Sequence, residues 1–381
     1  MGSQSKIIVT CALALAWALP ARSAEPIRMG AVLSVTGPAA FLGEPERNTV
    51  KMLEEEINKS GGLLGRKVEF IVYDDESDST KAVMAFDRLI KKDRVVAVVG
   101  PTLTGSTLAM VPKAEDARVP LVSMAAAKKI VQPTKKWVFK SPQSDDLAVK
   151  AILKHAKKNG ISKLALVTAT DAYGAAGREE LKELAPAAGM TVVADEVFAP
   201  KDTDMTVQLT KIRGTDAQAI ICWGANPGPA VIVRNRAHLG IKLPLYMSHA
   251  VGSKKFIELA GPENAEGIML PAGRLIVEDQ VPANHPQKKV LSAYKRDYEK
   301  KFQQEVSTFG GHAWDAIMLV VNAVKVGNSA EPAAIRDSLE KITRFQGTAG
   351  EFNLSAQDHN GLGDGSFVMV KIIKGDWEAI Q

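Results

Sequence analysis

The residues best placed to do chemistry lie between Arg94 and Ala127, RVVAVVGPTLTGSTLAMVPKAEDARVPLVSMAAA. Val95–Val99 is a short apolar, β-branched run that reads as a buried strand. The turn Gly100–Ser106 follows, then a helical segment over Thr107–Asp116 and a second buried strand over Pro120–Met124. A strand feeding a helix through a Gly/Thr/Ser turn leaves backbone N–H groups free at the helix N-terminus. The helix dipole adds positive potential there, so the place suits an anion. The spacing Gly100-x-x-x-x-Gly105-Ser106-Thr107 falls short of a phosphate loop because Ser106 stands where that loop needs lysine. Without the lysine a triphosphate lacks its main point charge, whereas N–H and hydroxyl donors alone can hold a carboxylate. A merely structural capped turn would look the same, so the rest of the fold must decide.

The elements around it alternate between buried strands and amphipathic helices, which predicts an α/β architecture with parallel sheets. Strands are expected at Ile27–Leu33, Val68–Tyr73 and Trp137–Phe139, with helices over Val50–Asn58, Ser79–Lys92 and Leu147–Lys158. The alternation restarts at Leu164–Thr168. Further strands follow at Thr191–Phe198, Ala219–Cys222, Leu245–Ser248 and Gly267–Pro271, with helices between them. Helices over Gln287–Phe302, Phe309–Val326 and Pro332–Ile342 come next, then a strand pair around Gly350–Asn353 and Ser366–Ile373. Two successive βα sets predict two doubly wound parallel-sheet lobes facing a cleft, with crossings near Lys140–Pro142 and Pro271–Gly273. Open parallel sheets bind ligands beyond the carboxyl ends of their strands, and the Gly100–Ser106 turn would project there.

Composition narrows the function. Lys6, the apolar run Ile7–Leu19 and the small residues before Glu25 form an export signal with cleavage expected near residue 23 or 24. After its removal Cys222 is the single cysteine, so stability rests on packing rather than on an internal disulfide. Of 48 Lys and Arg, Lys6 and Arg22 would leave with the signal; the remaining 46 against 43 acids give a net charge of +3. Basic residues are scattered and aromatics make up only 6% of the chain, so no nucleic-acid surface is expected. Dinucleotide, nucleophile-elbow and metalloprotease motifs are missing. His155, His238, His249, His285, His312 and His359 show no ligand spacing, so neither a metal nor a cofactor is expected. Asp74-Asp75-Glu76-x-Asp78 sits between a strand and a helix, where a capping run is the favoured reading.

Several stretches together carry a family pattern: Ile27–Gly43, Glu55–Asn58 with Gly61–Arg66, Tyr73–Asp75, Ala97–Gly105, Pro120–Ser123, Asp171–Gly174, Lys201–Asp204, Ser307–Ala316 and Gly347–Gly361. In this order, behind an export signal, they resemble the periplasmic substrate-binding proteins of ABC transporters, in the branched-chain amino acid (Leu/Ile/Val) branch. The resemblance implies a type I periplasmic binding protein fold, two lobes joined by three strands and closing on a ligand by hinge motion. The implied boundaries are a signal peptide at 1–24, a first lobe of 25–141 plus 275–364, and a second of 142–274 plus 365–381. It also implies a monomer without enzymatic activity in the periplasm, serving an inner-membrane permease and ATPase. A sensory domain feeding a membrane receptor is an alternative use of the same fold.

Carried over by position, the resemblance places the ligand carboxylate on Thr102, Leu103 and Thr104, with Ala125 and Ala127 completing the cradle. Phe41 or Leu42 would cover the ligand, Tyr173, Asn226 and His249 would reach it from the second lobe, and Phe309 would line the mouth. Two departures matter. Amino acid binders of this branch commonly carry an acid after the fourth second-lobe strand, where this chain reads Tyr246-Met247-Ser248-His249-Ala250-Val251-Gly252. Ala127 stands where a cradle hydroxyl is usual. A buried ammonium without a partner costs several kcal/mol in effective terms. A small carboxylate, with an aromatic body whose ring substituent meets His249, is therefore the expected ligand. A branched-chain or other hydrophobic amino acid is the alternative.

Overall fold

The computed structural model describes residues 25–225 and 227–380; the expected signal segment at 1–24 lies outside them. The first sheet is built from β1 (Ile27–Leu33), α1 (Ala40–Lys59), β2 (Val68–Asp74), α2 (Ser79–Arg88), β3 (Val98–Val99), α3 (Thr104–Ala117), β4 (Leu121–Ser123) and β5 (Val138–Lys140). Its strands run in the order β2-β1-β3-β4-β5, all parallel. The chain then passes through α4 (Asp145–Lys158), β6 (Lys163–Ala169), α5 (Ala172–Ala187), β7 (Thr191–Phe198), α6 (Thr206–Arg213) and β8 (Ala219–Trp223). It continues with α7 (Gly228–His238), β9 (Leu245–Met247), α8 (Lys254–Ala260), α9 (Pro262–Ala265) and β10 (Met269–Ala272). The five strands β7-β6-β8-β9-β10 are parallel and repeat the strand order of the first sheet. This is the type I periplasmic binding protein fold, two α/β lobes with their switch points turned toward each other.

The remaining segments complete both lobes. After α10 (Lys288–Phe302), α11 (Thr308–Gly327) and α12 (Pro332–Leu339) come the hairpin β11 (Phe345–Gln346) and β12 (Glu351–Phe352), then β13 (Val368–Ile373) and β14 (Asp376–Ile380). The expected pairing of 350–353 with 366–373 is corrected here. β12 pairs with β11, whereas β13 crosses to the second sheet, joins β10 antiparallel and is extended by β14. The two residues before Gly350, Thr348 and Ala349, are held onto α11 by Asp315.

Apolar runs in the strands follow from burial on both faces. In β6, Ala165 and Val167 pack toward α6 and α7, while Leu164 and Leu166 pack toward α4 and α5. In the first lobe α1 and α11 cover one face with Val50, Leu53, Ile317 and Val320, and α2 and α3 cover the other with Phe86, Met110 and Ala114. Among the described residues no helix is long and apolar enough to cross a membrane.

Three short segments, near 141–144, at Gly273 and at 363–367, run between the sheets. Gln143 ties the first of them to the third, its amide nitrogen donating to the Ser366 carbonyl (3.2 Å), and also to that of Ala349 (2.8 Å). Asn360 adds a bond to the Pro142 carbonyl at 2.9 Å. Close by, the fully buried Asp315 carboxylate of α11 accepts from Thr348 N (2.6 Å), Ala349 N (2.8 Å) and the Thr348 hydroxyl (3.0 Å). Truncation to Asp315→Ala leaves two buried amides without acceptors, at about 1–3 kcal/mol each. Urea unfolding should show a loss of roughly 2–6 kcal/mol, with Asp315→Asn losing less because it keeps one acceptor. An Asp315→Ala midpoint equal to that of the parent would contradict this role.

Candidate functional site

The expected anion turn is formed in the structure. Gly100 has φ +92°, and a Cβ there would meet the Val32 carbonyl oxygen at 2.2 Å, so glycine lets the turn lie against β1. The Thr102 hydroxyl accepts from Ser34 N at 3.0 Å and donates to the Glu46 carboxyl. These two bonds lock the loop after β3 to the loop after β1 and to α1. Leu103 is extended and caps α3, its carbonyl accepting from Thr107 N at 2.9 Å. The Thr107 hydroxyl then bonds Ser123 at the end of β4, 2.8 Å away. Thr104 opens the helix at 3% exposure. Within the described residues its hydroxyl has no hydrogen-bond partner, and the first-turn amides of Thr104, Gly105 and Ser106 have no backbone acceptor. These donors, aligned with the dipole of a 14-residue helix, form the anion end of the site.

A cavity of ≈ 60 Å³ opens beside this turn, between the two switch points. The first lobe contributes Leu42 and Glu46 after β1, Thr102–Thr104 after β3, Met124–Ala126 after β4, and Phe309 and His312 from α11. The second lobe contributes Asp171 and Tyr173 after β6, Ala225 after β8, and His249 and Ala250 after β9. Pro142, at a crossing, closes the back. Every one of these positions follows the carboxyl end of a strand or lies on α11, as the strand order dictates. Lysine and arginine are missing from the described wall.

Electrostatics keep the wall largely neutral. Burial, with the Lys140 charge and His312 nearby, holds the His249 imidazole down to about 3. Burial and Lys140 do the same to His312, also to about 3. The His249 ring packs against Tyr173, Trp223 and Phe367 at centroid distances of 5.8, 5.8 and 5.3 Å, with Nδ1 3.5 Å from the Tyr173 hydroxyl. Behind it, Asp145 is fully buried without a hydrogen-bond partner among the described residues, and desolvation pushes its carboxyl up to about 7 against the pull of Lys140. The Lys140 ammonium donates to the Ala126 and Pro142 carbonyls at 2.8 and 3.0 Å. Burial and the neighbouring Asp75 likewise push the Glu46 carboxyl well above the usual carboxylate range, only partly offset by the Thr102 hydrogen bond.

Of the residues singled out in the sequence, Leu42, Thr102, Leu103, Thr104, Ala125, Tyr173, His249 and Phe309 come together on this cavity. Phe41 does not reach it; its ring stands edge-on to Phe309 at 5.9 Å on the outer side of α1. Ala127 is fully buried in the α3 core rather than in the cradle, because the chain turns into the short helix Lys128–Ile130 there. Asn226 lies outside the described residues. Glu46, Met124 and His312 were missed. Glu46 could have been found: the helix begins at Ala40, ten residues earlier than expected, and Leu42, Glu46, Val50 and Leu53 then form one buried stripe with an acid in it. The acidic run is capping structure, with Asp78 accepting from Lys81 N at 2.9 Å and Asp74 from Val35, Thr36 and Glu76 amides.

With this geometry in hand, the relationships of the chain are plain. Residues 26–376 match the periplasmic binding protein family, and the chain belongs to it. The leucine-, isoleucine-, valine-, threonine- and alanine-binding protein of Pseudomonas aeruginosa is 26% identical over 348 residues, 90% of each chain. An extracellular ligand-binding receptor from Rhodopseudomonas palustris HaA2 superposes with a TM-score of 0.88 at 31% identity, covering 93% of this chain and 99% of that one. The branched-chain amino acid binding protein LivJ of Streptococcus pneumoniae, in complex with isoleucine, gives 0.82 at 27% identity, covering 93% and 99%.

The depressed histidines make a pH signature. Below the ordinary histidine value of about 6.5 the unfolded chain takes up protons that the folded protein refuses. Stability is therefore complete above that value and lost as pH falls toward 3. Each such histidine costs about 2 kcal/mol by pH 5. Urea unfolding at pH 7 and pH 5 should show His249→Gln losing about 2 kcal/mol less than the parent over that interval. Because the Asp145 carboxyl lies 4.0 Å from His249 Nε2, both proteins carry Asp145→Asn in this comparison. Equal losses would contradict a neutral, buried His249.

Proposed function

We propose that the chain is the extracytoplasmic solute-binding component of an ABC importer, and that its ligand is a hydrophobic α-amino acid held between the lobes. The observation that carries this is the set of free α3 first-turn donors at Thr104, facing a cavity otherwise walled by Leu42, Met124, Phe309 and Tyr173. A carboxylate fits the first feature and an apolar side chain fits the second. The relatives whose names state a ligand bind leucine, isoleucine and valine, which supports the amino acid over the aromatic acid. The case for an aromatic acid rested on the missing acid after β9 and on Ala127 in place of a cradle hydroxyl; Glu46, an acid on the first-lobe wall, weakens the first of these grounds. The protein binds without turnover, works in the periplasm after loss of residues 1–24, and hands its ligand to membrane permease and ATPase subunits.

Binding should draw the lobes together about the crossings at 141–144, Gly273 and 363–367. Small-angle scattering should report a smaller radius of gyration at saturating ligand, and an unchanged radius would contradict closure.

A thermal-shift panel of the proteinogenic amino acids and of benzoate-type acids tests the ligand class. A ligand at about 100 times its Kd adds roughly 2.7 kcal/mol. Leucine, isoleucine or valine should raise the melting temperature, and a shift with aromatic acids alone would overturn the assignment. In calorimetry with the amino acid so identified, Thr104→Ala and Thr104→Val should weaken binding roughly 10- to 150-fold, the worth of a hydrogen bond to a charged group. Parental affinity in both would place the carboxylate elsewhere.

A further inference from the structure

An amino acid brings an ammonium group as well as a carboxylate, and the second-lobe wall after β9 offers it no acid: His249 and Ala250 stand there. The first lobe does. Glu46 is 1% exposed, lines the cavity, and uses only one of its oxygens, Oε2, in the hydrogen bond from Thr102. The other, Oε1, has no hydrogen-bond partner among the described residues and is not sealed within the protein. A buried carboxyl oxygen left open on a cavity wall is an acceptor in want of a donor.

Its position suits an α-amino acid. Thr102, which holds Glu46, and Thr104, which opens α3, are two residues apart on one turn. The two ends of the ligand backbone are likewise separated by a single carbon. Among the described residues Asp171 is the other acid on the wall, across the cavity in the second lobe. Asp171 is engaged by Gly174 N at 2.7 Å as the cap of α5. Asp75 lies behind Ser34, bonded to its hydroxyl at 2.6 Å, and is not part of the cavity wall. His249 and His312 are neutral, the Tyr173 hydroxyl is a neutral donor, and the Lys140 ammonium is turned onto the Ala126 and Pro142 carbonyls.

Resting on the amino acid reading above, we infer that Glu46 is the partner of the ligand ammonium and that binding expels its proton to solvent. In the empty cavity burial, and the charge of Asp75, push the Glu46 carboxyl up and favour its protonated form, against the Thr102 hydrogen bond. When the ammonium arrives, the carboxyl O–H bond breaks, the proton leaves to buffer, and an N–H donor of the ligand takes its place at the carboxylate. The ligand is a zwitterion on both sides of the reaction and contributes no proton of its own. Specificity for amino acids over plain carboxylates is thereby set from α1 in the first lobe.

Calorimetry at pH 6 in two buffers of different ionisation enthalpy counts the protons. With L-leucine, or the strongest binder of the amino acid panel, the parent should release a fraction of a proton approaching one per ligand. The same acid without its amino group, 4-methylpentanoate for leucine, should release none and bind roughly 10- to 150-fold more weakly. Glu46→Gln, first checked for a native melting transition, should lose the proton release and most of the preference for leucine over 4-methylpentanoate. The proton count on the parent stands even if that variant fails to fold. Tight amino acid binding with no proton released would overturn the role of Glu46 and leave the amino acid reading intact. A panel in which no amino acid binds would overturn that reading, and this inference with it.

Discussion

The arrangement depends on the Thr102 hydroxyl, which takes one hydrogen bond from the Ser34 amide and gives one to the Glu46 carboxyl. It joins the loops that follow β1 and β3, the two neighbouring strands at the switch point of the first sheet. That junction fixes where α3 begins and therefore where its free amides point. It also holds an acid against its desolvation cost at the edge of the cavity. A network of this kind is stable only when each buried member is satisfied. Glu46, with one oxygen open on the cavity, is the member left for a ligand to complete.

A second polar layer lies beneath the cavity, at the crossings. Lys140, Gln143, Asp145 and Asn360 are all buried there; Gln143 donates to the Ser366 and Ala349 carbonyls and Asn360 to that of Pro142. Apolar packing would hold these segments in one arrangement by area alone. Directed hydrogen bonds hold them while leaving the rotation of one lobe on the other to a few backbone torsions. Asp145 is buried beside His249, 4.0 Å from its Nε2, and has no hydrogen-bond partner among the described residues.

Much of this was legible in the sequence. Buried β-branched runs alternating with amphipathic helices gave the two α/β lobes, because period and composition are local properties. The turn at Gly100–Ser106 was readable for the same reason: a strand, small hydroxyl residues and a helix follow one another without interruption. Three things were not. Pro45 hid the first turns of α1, since a proline reads as a helix boundary, yet the helix runs through it from Ala40. The route of 366–373 to the second sheet is decided by long-range pairing with β10, which no local pattern carries. Glu46 was passed over because acids were sought where the family keeps one, after β9, whereas burial of an acid in the stripe of α1 becomes visible only when the helix start is known.

The most direct measurement is the structure of the protein crystallised with L-leucine, or with the strongest amino acid of the binding panel. The account predicts closed lobes, the ligand carboxylate within hydrogen-bond distance of Thr104 N and its hydroxyl, and the ligand ammonium on Glu46 Oε1. A ligand whose carboxylate lies away from the α3 N-terminus, or whose ammonium meets only second-lobe groups, would contradict it.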